Sequence, residues 1–317
     1  MIIRRRFRRR CRRIAELFLL CLGFVFLPLL PRRMVVWMAT WLGSAVFRCS
    51  GKLRKIAIAN LDVAFGETLS QANKKRIAEE SFRTFALVLI DLFWFALFVR
   101  RRIAANLKFD PSFDHYFNTS PAIVVAGHIG NWELIAQAVA IHGAPTVSVV
   151  APLDNPYVEW LLNYLRTQSG QKVVFKDGAV KMLLKTLYDG GRVGLLIDQN
   201  TLPEDGGEFV DMFGLPVPMS KAAAILSERT KATIVLIYCV QDGHGKYTAY
   251  AHPVEPSGRT MTQTIAAAME DVVRNHPGQW LWMYKRWKYI PSGHSGSGYP
   301  FYTRRAAAHI VVQGKDV

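Results

Sequence analysis

From residue 121 onward the hydrophobic positions fall into two alternating textures. Short β-branched apolar runs predict strands at 122–126, 146–151, 172–175, 193–197, 233–240 and 247–252. Between them, apolar residues recur every three or four positions and predict helices at 132–142, 156–169, 179–188, 220–229 and 260–275. Such alternation predicts an α/β domain whose mixed, largely parallel central sheet is flanked by helices. Before residue 121 the pattern is helical. One helix is expected over 53–66, ending at Gly66, and a longer one begins after a capping Ser70 and runs through Phe98. Its apolar tail contains Asp91 and is bounded by Arg100, Arg101 and Arg102, so it reads as buried in the core or dipping into a membrane interface rather than spanning one.

Charge changes the picture at the start of the chain. The net charge is +16, which invites a nucleic-acid reading. Eight of those charges, however, are arginines among the first thirteen residues, and the apolar stretch 17–30 follows at once. A basic cluster abutting an apolar segment is the pattern of a positive-inside anchor that also attracts anionic lipid. The sequence around Pro28 and Pro31 offers no small-residue cleavage site, so an uncleaved anchor is expected. The apolar run is shorter than the ~20 residues of a perpendicular span, and a second one at 34–47 leaves a shallow hairpin open beside a true span. The organisation expected is a basic amino terminus and membrane-anchoring helical segment (1–50), a single catalytic domain (51–305) and a loose tail (306–317). The four cysteines and the other histidines form no metal-ligand spacing, and no phosphate-binding glycine loop occurs, so neither a metal nor a cofactor is expected.

The candidate chemistry centres on 123–134, where the strand at 122–126 gives way to Gly127, His128, Ile129, Gly130, Asn131, Trp132 and Glu133 and then to a helical pattern. His128 is thus expected at the carboxyl end of a strand, the edge at which open α/β sheets bind ligands. On one continuous helix the five-residue step to Glu133 would separate the side chains by roughly 140°. With His128 in the turn and Glu133 in the first helical turn they can meet. The expectation is a His128–Glu133 dyad in which the carboxylate fixes the tautomer and the second ring nitrogen acts as general base. The chain has no Gly-x-Ser-x-Gly elbow, so a substrate hydroxyl or amine must attack.

The letters around His128 resemble the His-x4-Asp/Glu motif of the lysophospholipid acyltransferase superfamily, and more narrowly the Gly-His-Phe-Gly-Asn-Trp-Glu form of the bacterial late (secondary) acyltransferases of lipid A, the lauroyl and myristoyl transferases. Ile129 stands where the aromatic is usual. Further resemblances follow in the family's order: Arg54, Asn60, Leu61, Ala64 and Phe65; Asp154, Asn155, Pro156 and Arg166; Asp198, Gln199 and Asn200; the loop 207–214; and the tryptophan-rich segment 279–288 with Arg286. Met212, Val217 and Met219 depart from the family pattern.

The resemblance implies a glycerol-3-phosphate acyltransferase-like fold, the transfer of a fatty acyl group from a thioester of acyl carrier protein or coenzyme A to a hydroxyl of a lipid A precursor, and location at the cytoplasmic face of the inner membrane. No covalent intermediate and no nucleic acid enter. His128 and Glu133 are then the catalytic pair. Arg166 and Asp198 position the oxyanion or substrate, with Asp198 orienting Arg166 or placing the acceptor, and backbone N–H groups at the start of the helix assist. Asn131, Trp132, Gln199, Asn200 and Arg286 are substrate-binding candidates, the aromatic and cationic residues of 279–288 being read as a headgroup belt. Asp198 shares the sheet edge of His128 if their strands run parallel. Two alternatives stay open: the same chemistry on another membrane acceptor (phosphatidylinositol mannoside, lyso-phospholipid or ornithine lipid), and a non-enzymatic basic membrane lipid-binding protein.

Overall fold

The computed structural model describes residues 20–306, apart from 151, 153, 176 and 177, together with Arg13 and Leu17. The arginine cluster before Arg13 and the tail 307–317 lie outside the described residues.

The strand at the centre is β2 (Ala122–Ala126), whose continuous apolar run is buried on both faces, as a strand covered by helices on either side must be. It pairs in parallel with β5 (Arg192–Leu196) on one side and β8 (Thr233–Gln241) on the other. Beyond β5 lie β3 (Thr146–Val150) and β4 (Lys172–Phe175), also parallel. Beyond β8, the strand β9 (Tyr247–Pro253) runs antiparallel, and the short β1 (Leu107–Phe109) closes the edge, giving the order β1-β9-β8-β2-β5-β3-β4. All six expected strands are present, and the sheet is mixed but largely parallel. The structure adds β1, too short for a periodic pattern, and a hairpin of β6 (Gly207–Met212) and β7 (Leu215–Ser220) in the stretch read as a loop.

Alternate residues along each central strand face opposite cores. Ile123, Val125, Val193 and Leu195 join one apolar cluster, while Val124, Val235 and Ile237 join the other with Leu134, Ile135 and Ala138 of the helix after His128.

Among the described residues, helices α1 (Arg32–Cys49), α2 (Gly51–Phe65), α3 (Gln71–Trp94), α4 (Val99–Asn106) and α5 (Phe113–Asn118) precede β2. The Ser70 hydroxyl caps α3 by accepting from the Asn73 N–H, as expected. The helix does not run on to Phe98, however. It ends at Trp94, and Phe98 takes left-handed φ, 54°, to start α4. Its apolar tail is interior, with Leu87, Val88, Ile90, Asp91 and Leu92 all buried. No described helix is long and apolar enough to cross a membrane. On α1, Val35, Ala39 and Phe47 are buried while Trp37 and Trp41 stay about two-thirds exposed (66% and 63%), so the helix has one face in the core and one aromatic face in solvent.

Asp91 gathers the helices onto the sheet. Arg32, at the start of α1, donates two guanidinium bonds to its carboxylate, and the Tyr247 hydroxyl and the Asn131 amide donate to the same group. Isolated burial of that carboxylate would be prohibitive; four donated hydrogen bonds, two of them from a cation, make it tolerable.

Candidate active site

His128 and Asp198 are seventy residues apart in the chain and adjacent in space because β2 and β5 pair in parallel with Ala126 opposite Leu196. Each strand continues two residues past that pair and delivers its functional side chain to the same edge. The Asp198 carboxylate sits 2.7 Å from His128 Nδ1 and accepts the His128 backbone N–H at 2.8 Å. A third donor, Trp280 Nε1, lies 3.0 Å from it. Burial alone would push the Asp198 carboxyl up; the neighbouring imidazole charge and these hydrogen bonds outweigh it and bring the group down to about 2. For His128, burial works against the charged ring, but Asp198 first and Glu133 second raise its pKa above the ordinary histidine value.

Glu133 is therefore not the partner on Nδ1, and the expected His128–Glu133 hydrogen bond gives way to His128–Asp198. The Glu133 carboxylate, at the first turn of α6 (Trp132–Ile141), accepts instead from Arg166 Nε at 2.9 Å and Nη2 at 2.6 Å. This two-point fork fixes the guanidinium plane and keeps Arg166 charged despite burial. The physical reason for the exchange is register. The parallel pairing already brings a carboxylate against the imidazole, and Glu133 points toward α7 (Pro156–Thr167), which carries Arg166. Asp198 accordingly orients the histidine, not Arg166.

The turn itself is built for this placement. Gly130 has φ +57°, and a Cβ there would lie 1.9 Å from the Cys239 carbonyl oxygen, so no side chain fits. The N–H groups of Gly130 and Asn131 donate to Gln279 and Cys239 carbonyls at 2.8 Å each, and the Asn131 side chain caps α6 by accepting from Leu134 N at 2.9 Å. The Gly130, Asn131 and Leu134 N–H groups are thus engaged within the protein. Asn131 is 1% exposed and locks the helix to Asp91; it does not reach substrate.

Trp132 stands edge-on to the imidazole, ring centres 4.7 Å apart, and lines the cleft. Gln199 is exposed beside Asp198. Asn200 and Arg286 hold each other: Arg286 Nη1 donates to Asn200 Oδ1 at 3.1 Å and to the Pro218 carbonyl at 2.9 Å, while its Nε and Nη2 are buried with no hydrogen-bond partner. Burial lowers the Arg286 pKa to about 10. The segment 279–288 is likewise interior, with Trp280, Trp282 and Trp287 buried and Asn60 Nδ2 donating to the Trp282 and Tyr284 carbonyls. Its tryptophans form core, not a headgroup belt, because the residues between them pair with α2 and α3. Trp280, which steadies Asp198, carried no sequence signal beyond its place in that segment.

Beneath the Glu133–Arg166 pair a narrow slot of about 80 Å³ runs between α6 and the sheet. Val124, Ala126, Ile135 and Val139 make its walls apolar, and Gly194 leaves room where a Cβ would come 2.9 Å from Ser148 Oγ. An ion-paired histidine, a forked arginine and an apolar slot together can deprotonate a hydroxyl beside a bound alkyl chain.

The family model described as "Bacterial lipid A biosynthesis acyltransferase" matches residues 4–289. The chain belongs to that family. It is similar to the lipid A biosynthesis acyltransferase of Haemophilus influenzae, with 24% identity over 84% of each chain. It is also similar to the Escherichia coli lipid A biosynthesis lauroyltransferase (23% identity, 83% of this chain and 88% of that one) and myristoyltransferase (23%, 77% and 78%). Among solved structures, the 1-acyl-sn-glycerophosphate acyltransferase of Thermotoga maritima aligns with 79% of this chain and 99% of its own at 15% identity, with a TM-score of 0.36. As a member of the lipid A acyltransferase family the chain is an O-acyltransferase.

Proposed function

We propose that the protein transfers a fatty acyl chain from a thioester, on acyl carrier protein or coenzyme A, to a hydroxyl of a lipid A precursor. His128 Nε2 takes the proton of the acceptor hydroxyl while Asp198 holds Nδ1 and balances the imidazolium. The acceptor oxygen bonds to the thioester carbonyl carbon, and Arg166, held by Glu133, stabilises the oxyanion. The tetrahedral intermediate then collapses, the carbon–sulfur bond breaks, and His128 returns the proton to the departing thiol. The ester is formed with no covalent acyl-enzyme. The observation that carries this reading is the pair Asp198–His128 set against Trp132, a residue that lines the apolar slot.

The exposed apolar residues support action at a membrane surface. Trp37, Trp41, Leu29 and Phe98 are exposed near Arg33 and the arginines of α4 in sequence, a composition suited to the headgroup region of an anionic inner-membrane leaflet on its cytoplasmic face. The amino-terminal segment then anchors from the interface.

The test is acyl transfer from a labelled carrier-protein thioester to a tetraacylated lipid A precursor in detergent or membranes. Transfer by the wild type that is abolished in His128→Ala supports the reading. An inert wild type with folding intact rejects it.

A further inference from the structure

The slot under Glu133 and Arg166 is apolar along its walls but polar at its far end. Thr146 Oγ1 lies 3.3 Å from Ser148 Oγ, and Gln171 Nε2 donates to Ser148 Oγ at 3.2 Å. All three residues line the slot, and Gln171 is 5% exposed. Its Oε1 is buried and has no hydrogen-bond partner. Turning the amide over would not help, because the oxygen would then meet Ser148 and the NH2 group would be left unpaired. The oxygen is already withdrawn from solvent, and a plain alkyl chain drawn into the slot leaves it unsatisfied, which is unfavourable. A hydroxyl, which donates and accepts, satisfies it in either orientation.

The register fixes where on the chain that hydroxyl lies. Val124, Gly194 and Ser148 stand abreast on β2, β5 and β3. His128 is four residues beyond Val124, about 13 Å along the strands, and Ser148 is two strand spacings, roughly 10 Å, to the side. The polar floor is therefore roughly 16 Å from His128 by the diagonal, the reach of an extended chain of medium length.

We propose that the preferred acyl donor carries a hydroxyl group in the half of its chain remote from the thioester, bound by Gln171 with Ser148 and Thr146. The inference rests on the acyl-transfer reading for the identity of the chain as donor, and on the slot alone for its selectivity. Gln171 acts as a specificity-determining residue and takes no part in the chemistry.

The experiment has two arms on the full-length protein in detergent. Calorimetric titration compares dodecanoic acid, its β-hydroxy form, whose hydroxyl stays near the mouth, and its ω-hydroxy form, whose hydroxyl reaches the floor. The second arm compares kcat/KM for the three corresponding carrier-protein thioesters. The ω-hydroxy chain should bind about tenfold more tightly than the plain chain, with no gain for the β-hydroxy chain. Gln171→Leu should remove or reverse that preference. Equal binding of plain and ω-hydroxy chains by the wild type overturns the proposal and needs no variant to read. Loss of transfer with every thioester while the binding preference persists would reject the acyl-transfer reading and keep the selectivity of the slot.

Discussion

Glu133 Oε1 lies 2.6 Å from Arg166 Nη2, and Oε2 lies 2.9 Å from Nε. The acidic residue five positions after the histidine thus aims a cation, while the histidine takes its carboxylate from another strand. Two separate ion pairs converge where one dyad was expected, and in the proposed mechanism they divide the tasks of base and oxyanion stabiliser. Each can be disturbed by itself.

Asp198→Asn leaves the geometry nearly intact but removes the charge that favours the imidazolium and the Nδ1–H tautomer. Acyl transfer should fall by roughly two to four orders of magnitude. A residual kcat within threefold of wild type would remove Asp198 from the mechanism.

The pH profile reports the same pair. A base must be neutral, so activity in the wild type should rise with pH through a His128 pKa above the ordinary histidine value. Asp198→Asn should move that limb to lower pH, because the carboxylate charge that raises it is gone. For stability the sign is opposite: the raised His128 pKa contributes stability that is full below the ordinary histidine value and is lost as pH rises through the raised one. The Asp198 contribution is present above the ordinary carboxyl range and fades as pH falls toward about 2. Profiles of kcat/KM and of melting temperature, taken together, separate the two effects.

Glu133→Gln and Arg166→Met should each lower transfer by at least about a hundredfold, and the double variant should be little worse than either single one. A coupling of about 2–3 kcal/mol between them is expected from a shared, partly buried bidentate pair. Strictly additive losses in the cycle would mean that the fork has no bearing on the reaction.

Gly130→Ala places a Cβ against the Cys239 carbonyl in a left-handed turn. The cost should be about 3 kcal/mol or more, read as a lower melting temperature with loss of activity. A variant as stable as the wild type would show that the turn has another conformation open to it.

Asp91→Ala strands the Arg32 guanidinium in a largely buried site and should destabilise the fold by about 3–5 kcal/mol. Combining it with Arg32→Met should recover much of the loss. Because Asp91 also holds Asn131, denaturant midpoints and acyl transfer should fall in parallel in the single variant; a drop in stability alone would uncouple the helices from the site.

The sequence by itself determined much of this protein. Alternating periodicities of two and 3.6 placed the six principal strands and the helices between them, because burying one face of each element leaves its period in the chain. The turn at His128 was legible from Gly127 and Gly130, and Asp198 was placed on the same sheet edge as His128 on the condition that their strands run parallel. Only the tertiary structure decided which acid meets which base. That choice depends on the pairing of Ala126 with Leu196, a contact across seventy residues that leaves no local pattern. The same holds for Arg286 and the tryptophans of 279–288, whose aromatic and cationic letters suit a headgroup belt as well as a core. Their burial follows from bonds to Asn60, Ser81 and Asn200, partners that folding supplies and periodicity cannot name. The unpaired Oε1 of Gln171 is likewise invisible in one dimension, since a polar residue before a strand is ordinarily solvated, and only the packed fold withdraws it from water.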